Sequence, residues 1–429
     1  METKNIPYKP GALKLCIIAL ISLLLLIPLV MVQSLIRDRL STKETVEYEI
    51  ANSTAKRQKI AGPIIFYEGS EKQKPSDKET LHCLISNTLN YNSEIETETL
   101  HRSIYDVVVY NSKIKIDGTF KATGKLLSKK WCYLYFSISD LKGLQSIPEI
   151  KICDSIYALE LDREDVREKY NYNRNGAYLE YSTNTLIAKI KLPENIVEGQ
   201  DLKYEMTLNI KGTKEQTFEP CSEITTLTIQ SSYPHPSFIG DFLPTKRNVT
   251  DTGFSAEWSI LGMNVASNSD GMGVAFVNPS DPYLQSERTS KYGFLIIALV
   301  FVAALLAEFI SRKEITIVQY AIVGLSLVLF YSLLISFSEI TGFGLAYLIS
   351  AIMTSLALLF YFQRMLRNKA AYFVGGFVGL MYIINYVIIQ METFSLLTGS
   401  LLLFIMLLVL MYFTSNMNEH NIKPTIEKQ

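Results

Sequence analysis

The chain has 429 residues, 48% of them hydrophobic and 19% charged, and 41 Lys and Arg against 42 Asp and Glu leave a formal net charge of −1. Near-zero balance without a strong basic patch argues against nucleic acid as a partner, and 11% aromatic content excludes low-complexity disorder. Charge is also unevenly spread: residues 37–291 hold 66 charges (31 basic, 35 acidic), and the other 174 residues hold only 17, which is membrane composition.

Residues 1–14 carry Lys4, Lys9 and Lys14 and are read as a cytoplasmic N-terminus. Residues 15–36 are uncharged over a length that spans a ~30 Å hydrocarbon core, so they are expected to form a transmembrane signal-anchor helix. Pro28 can kink it, which membrane helices tolerate.

Segment 37–291 reads as one large exterior domain, periplasmic in a cell with two membranes. Its first part, 37 to about 59, has Glu and Lys in helix-friendly spacing and is expected to continue the anchor as a juxtamembrane helix. Residues 69–80 look like a loop. Strands are expected at 104–110, 113–122, 131–139, 176–191, 202–211, 222–231 and 253–260, where Val, Ile, Thr, Tyr and Phe are frequent. Asp117-Gly118, Asn175-Gly176 and Lys211-Gly212 read as turns. The expectation is a mainly antiparallel β domain, a sandwich or barrel. Cys83, Cys132, Cys153 and Cys221 all fall in it; an even number on the oxidising side permits two disulfides in three pairings, against the alternative of buried thiols.

Five further spans are expected at 292–310, 315–337, 342–362, 370–390 and 393–413, a C-terminal bundle followed by a cytoplasmic tail, 414–429. Ten basic residues lie in alternate short connections and termini, among them Arg312, Lys313, Arg364, Arg367 and Lys369. The opposite connections, around Glu339 and Glu392, have none. The positive-inside rule then puts both termini in the cytoplasm and the large domain outside. Glu308 is read as an interfacial carboxylate paired with Arg312, in preference to an ion relay. Asn385 is read as helix–helix glue.

No His-Glu-x-x-His, Cys-x-x-Cys, Gly-x-Ser-x-Gly or phosphate-binding loop occurs among the 429 residues, so neither a catalytic group, a metal nor a cofactor is expected. The most distinctive string is Tyr233-Pro234-His235-Pro236-Ser237-Phe238-Ile239-Gly240-Asp241-Phe242-Leu243-Pro244. Its prolines favour a stiff crossover over regular structure. A competing reading makes His235, with a carboxylate such as Asp241, an envelope enzyme's site.

Residues 234–244, with Thr245-Lys246-Arg247 and Gly253-Phe254-x-Ala256-x-Trp258 after them, resemble the CreD family of bacterial inner-membrane proteins. Ile27-Pro28, Gly62-Pro63, Asp281-x-Tyr283, Gln319-Tyr320 and Ser338-Glu339-x-Thr341-Gly342-Phe343 extend the resemblance collinearly. It implies a non-enzymatic protein of cell-envelope integrity and envelope-stress response, linked in the family to β-lactam and colicin tolerance. Expected partners are the lipid bilayer and envelope proteins or cell-wall components. The family assigns no role to Pro234, His235, Pro236, Phe238, Gly240, Asp241, Phe242 or Pro244. The alternative is a transporter or lipid-handling protein using the helix bundle, with a polar cavity near Glu308 and Asn385. The oligomeric state stays open.

Overall fold

The computed structural model describes residues 12–68, 80–129, 131–162, 171–172, 184–193, 195–265, 269–278, 281–311 and 313–390, with 400, 404, 408 and 411. The chain divides into two compact units, Met1–Thr42 with Ser280–Gln429, and Lys43–Pro279.

The chain enters on α1 (Ala12–Leu24) and continues, after a single turn residue, in α2 (Leu26–Ser53). The interruption at Leu25 lies three residues before Pro28, whose ring has no N–H to donate and crowds the preceding turn.

Strands β1 (Gln58–Glu68), β2 (Thr80–Leu84), β3 (Ser86–Arg102), β4 (Tyr105–Lys121), β5 (Cys132–Ile138), β6 (Glu149–Ile152), β7 (Ser155–Ala158), β8 (Glu160–Leu161) and β9 (Asn171–Tyr172) follow, with a single helical turn, α3 (Gly124–Leu127), between β4 and β5. Then come β10 (Thr185–Ile190), β11 (Asp201–Thr213), β12 (Glu215–Phe218), β13 (Ser222–Ser231), β14 (Pro236–Gly240), β15 (Lys246–Thr250), β16 (Gly253–Leu261) and β17 (Met272–Phe276). One sheet runs β14-β17-β12-β1-β5-β10-β8, with β2 on β1 and β9 on β2; the other runs β15-β16-β13-β3-β4-β11-β6-β7. Antiparallel pairs dominate, as expected, but both sheets are mixed: β1–β12, β2–β9 and β3–β13 are parallel.

The two sheets share one apolar core. Strand β11 shows why: Leu202, Tyr204, Met206, Leu208 and Ile210 are buried while Lys203, Glu205 and Thr207 between them are exposed. Across the core the Tyr91 ring lies 4.9 Å from Phe218, and the Tyr91 hydroxyl donates to the Gly62 carbonyl at 2.7 Å.

Several expectations are corrected here. Residues 104–110 and 113–122 form one strand, β4, and neither Asp117-Gly118 nor Lys211-Gly212 is a turn. Gly118 and Gly212 sit inside strands opposite Tyr204 and Tyr110, whose rings occupy the space a side chain would need. The chain reverses instead at Ser103, between β3 and β4, and crosses from one sheet to the other at Lys214, non-glycine residues with φ of 57° and 64°. Strand β3 was not expected at all, because its Asn, Ser and Glu residues have low strand propensity. Its buried face nevertheless alternates correctly, with Leu89, Tyr91, Ser93 and Ile95 inward. Residues 69–79, Asn175-Gly176 and the first half of the expected strand 176–191 lie outside the described residues.

In the other unit, α4 (Pro282–Lys291), α5 (Gly293–Ser311), α6 (Ile317–Thr341), α7 (Phe343–Leu366) and α8 (Ala370–Gln390) follow. Among the described residues four helices are individually long and apolar enough to cross a membrane: Cys16–Ser53, α6, α7 and α8. Of the five expected C-terminal spans, those at 315–337, 342–362 and 370–390 therefore correspond to helices that pass alone. The expected 292–310 span qualifies only as α5 taken together with α4, a pair bent by 47°. α4 is a polar helix with Asp281 as its N-cap and Pro282 in its first turn. The expected 393–413 span lies almost entirely outside the described residues.

Glycines let the N-terminal helices approach the bundle. A Cβ on Gly324 would meet Leu25 at 2.0 Å, and one on Gly293 would meet Leu29 at 2.7 Å. Of the Gly375-Gly376-x-x-Gly379 surface, Gly375 packs on Leu359 of α7, whereas Gly376 and Gly379 have nothing within 4 Å.

Candidate functional site

The distinctive proline-rich string forms β14 and its flanks. Pro236 opens β14, which is the edge strand of its sheet, where a missing N–H costs no ladder bond. Phe238 points across to the other sheet, its ring 5.8 Å from Trp258 and 5.9 Å from Phe254. Gly240 has φ of +96°, and a Cβ there would lie 2.3 Å from the Gly271 carbonyl oxygen. The Asp241 N–H donates to that same carbonyl at 2.9 Å, and its carboxylate accepts from the Asp270 N–H at 2.9 Å. Phe242 offers its carbonyl to the Trp258 indole N–H at 3.0 Å. Pro234 and Pro244 are half-buried at the two ends. The segment thus ties one end of the two sheets together.

His235 is exposed, its ring 6.3 Å from that of Tyr233. It precedes β14 and Asp241 follows it, so roughly 17 Å of strand lies between them at ~3.3 Å per residue. The structure does not bring this pair together. His101 pairs with Asp106 at 2.6 Å, and His82 lies beside the Tyr67 ring. Among the described residues no three His, Cys, Asp or Glu side chains meet as a metal site.

The four cysteines of this unit are free thiols in this structure, the second of the two alternatives left open by their number. They are dispersed over β2, β5, the β6–β7 turn and the residue before β13. Burial pushes the Cys83 thiol up to about 12 and that of Cys132 to about 11, and raises those of Cys153 and Cys221. None has the activated thiolate that nucleophilic chemistry needs.

What this unit does present is a hollow of about 530 Å³ on the eight-stranded sheet. Glu94 and Glu96 of β3, Gln230 of β13, Asn248 and Thr250 of β15 and Ser255 of β16 line it. The strand pleat puts them there: Glu94 stands beside Gln230, and Gln230 beside Ser255, in register. All five residues of β15, the sheet's edge strand, are exposed. The hollow offers two carboxylates with amides and hydroxyls around them, chemistry suited to a hydrophilic or cationic partner. The sequence reading missed it because two of its walls belong to β3, which carries weak strand signals.

In the helical unit, Glu308 is buried at 1% exposure, so it is not a snorkelling interfacial group. It forms an ion pair with Lys14 and accepts from the Tyr320 hydroxyl at 3.1 Å. Arg312 lies outside the described residues. No local pattern could reveal Lys14 as the partner, since 294 positions separate the two. At the opposite end of the bundle, Glu339 belongs to the last turn of α6 and not to a loop. It pairs with Arg39 at 3.4 Å and accepts from the Tyr283 hydroxyl at 3.4 Å. Asn385 of α8 is buried beside the Tyr347 hydroxyl of α7, and its amide atoms reach no full hydrogen-bond geometry.

Residues 11–420 match the family described as "Inner membrane protein CreD". The chain is 30% identical over 375 residues to the inner membrane protein CreD of Escherichia coli (strain K12), covering 81% of this chain and 79% of that one. Among solved structures, an M1 zinc metallopeptidase of Deinococcus radiodurans aligns with 45% of this chain and 42% of its own. At 7% identity and a TM-score of 0.21 that likeness carries no argument.

Proposed function

The chain belongs to the CreD family of inner-membrane proteins, and from that premise we propose that it supports cell-envelope integrity and the envelope-stress response by binding rather than by catalysis. In this reading the two-sheet unit lies on the periplasmic side, both termini lie in the cytoplasm, and the partner is an envelope protein or a hydrophilic cell-wall component. The observation that carries it is the hollow at Glu94 and Glu96, where carboxylates, amides and hydroxyls from four strands face one open volume. The proline-rich string, by contrast, is occupied in closing the sandwich.

The test is photo-crosslinking in intact cells from a probe amino acid at Asn248 or Gln230, with Lys125 as a control position on α3. Capture of a defined envelope component from the hollow alone, and its loss in the Glu94→Gln/Glu96→Gln variant, is the expected result. Equal labelling from both places, with β-lactam tolerance unchanged in that variant, overturns the reading.

A further inference from the structure

We propose that the helical unit holds ordered water at a buried site formed by Tyr331, Ser350, Tyr382 and Asn385. The hydroxyls of Tyr331, Ser350 and Tyr382 and both amide atoms of Asn385 are buried without a hydrogen-bond partner. These residues come from three helices, α6, α7 and α8, yet converge on one level. The Phe330 ring joins two of them, lying 5.0 Å from Tyr331 and 4.3 Å from Tyr382, and stands 5.4 Å from Tyr347 beside them. Ser350 lies on the buried face of α7 between Tyr347 and Thr354, one turn from each. The Tyr347 hydroxyl spends its proton on the Tyr382 carbonyl at 2.7 Å and stands beside the Asn385 amide.

Ser350 is seven residues from the start of α7 and Asn385 five from the end of α8, so at ~1.5 Å per residue both lie roughly 8–10 Å inside the helix ends. Lipid cannot satisfy polar atoms at that depth, and native membrane proteins leave few of them unpaired. No charged side chain belongs to the group, so the chemistry selects a small neutral donor and acceptor over an ion. A buried water makes about three hydrogen bonds, so the five open atoms suit about two waters.

Polar helix α4 lies over one end of the site. It turns Ser286, Thr289 and Ser290 inward and packs against α6, α7 and α8. The Ser286 hydroxyl is itself buried without a partner. The Tyr331 ring lies against Gly293, directly after α4, and the charged group of Arg39 and Glu339 stands at that end. Toward the other end the buried side chains turn apolar: Leu358, Phe362, Val374 and Val378. The site therefore stands apart from Glu308 and Lys14, with α4 on its polar side.

Radiolytic hydroxyl-radical footprinting of the full-length protein in lipid nanodiscs tests this, because radicals form where water is bound. Labelling of Tyr331 and Tyr382 above that of buried Phe362 is expected, with loss of that labelling in Asn385→Leu and a lower melting temperature for the variant. Ser350→Ala serves as the second variant should Asn385→Leu fail to fold. Labelling of the two tyrosines no greater than Phe362, or a raised melting temperature in Asn385→Leu, overturns the proposal. A dry site gains from replacing an unpaired amide by an apolar group of similar shape.

Discussion

Tyr110 of β4 and Gly212 of β11 stand directly opposite each other, and the phenol covers the glycine so closely that a Cβ on residue 212 would lie 2.2 Å from its hydroxyl oxygen. The same hydroxyl donates to the Glu215 carbonyl at 2.7 Å, which holds the ring down. Tyr204 covers Gly118 in the same way on the same strand pair. An in-strand glycine is weak by itself, and the aromatic neighbour restores the buried surface it lacks.

Gly212→Val is accordingly expected to destabilise the β unit by about 1–3 kcal/mol through overpacking, although valine is a better strand former. Thermal unfolding followed by circular dichroism reads this as a drop of several degrees. An unchanged or raised midpoint would mean that the ring moves aside freely.

The proline-rich string should divide into structural and dispensable residues. Trp258→Ala removes the indole that packs on Phe238 and donates to Phe242, a loss of about 3–5 kcal/mol. His235→Ala should stay within about 0.5 kcal/mol, since the ring is exposed. Urea unfolding of the purified variants checks the contrast.

Lys14 and Glu308 join the first helix to the end of α5. Lys14→Met strands a buried carboxylate and should cost on the order of 3 kcal/mol, whereas the double variant Lys14→Met/Glu308→Gln should recover most of it. A double-mutant cycle on stability in mild detergent measures the coupling. Additive losses would show that the two groups act independently.

The cysteine shifts have a definite sign. An unfolded thiol ionises near 9.0, and the folded Cys83 near about 12, so the native state keeps a proton that the unfolded chain gives up. The stability this group contributes is complete below pH 9 and is lost as pH rises toward 12. At pH 8 its thiolate fraction falls about 1,000-fold relative to the unfolded chain, so iodoacetamide should label Cys83 far more slowly in the native protein than in urea. Equal rates in the two states would contradict the burial.

Composition alone located the apolar helices, because a stretch such as 15–36 has no soluble alternative at that hydrophobicity. Alternation identified strands such as β11, whose two faces meet different environments. The stiffness of the proline-rich string was legible too, since proline restricts the backbone wherever it stands, but not the edge strand that Pro236–Gly240 forms. Pairing decided the rest. Whether Gly118 bends or continues a strand depends on Tyr204, 86 positions away, and whether Glu308 snorkels depends on Lys14. The hollow at Glu94 exists because β3 lies parallel to β13, and the open polar atoms of Asn385 are visible only once α6, α7 and α8 enclose them. Local sequence sets which backbone states are cheap, while burial and hydrogen bonding between distant segments select among them, and that selection belongs to the tertiary structure.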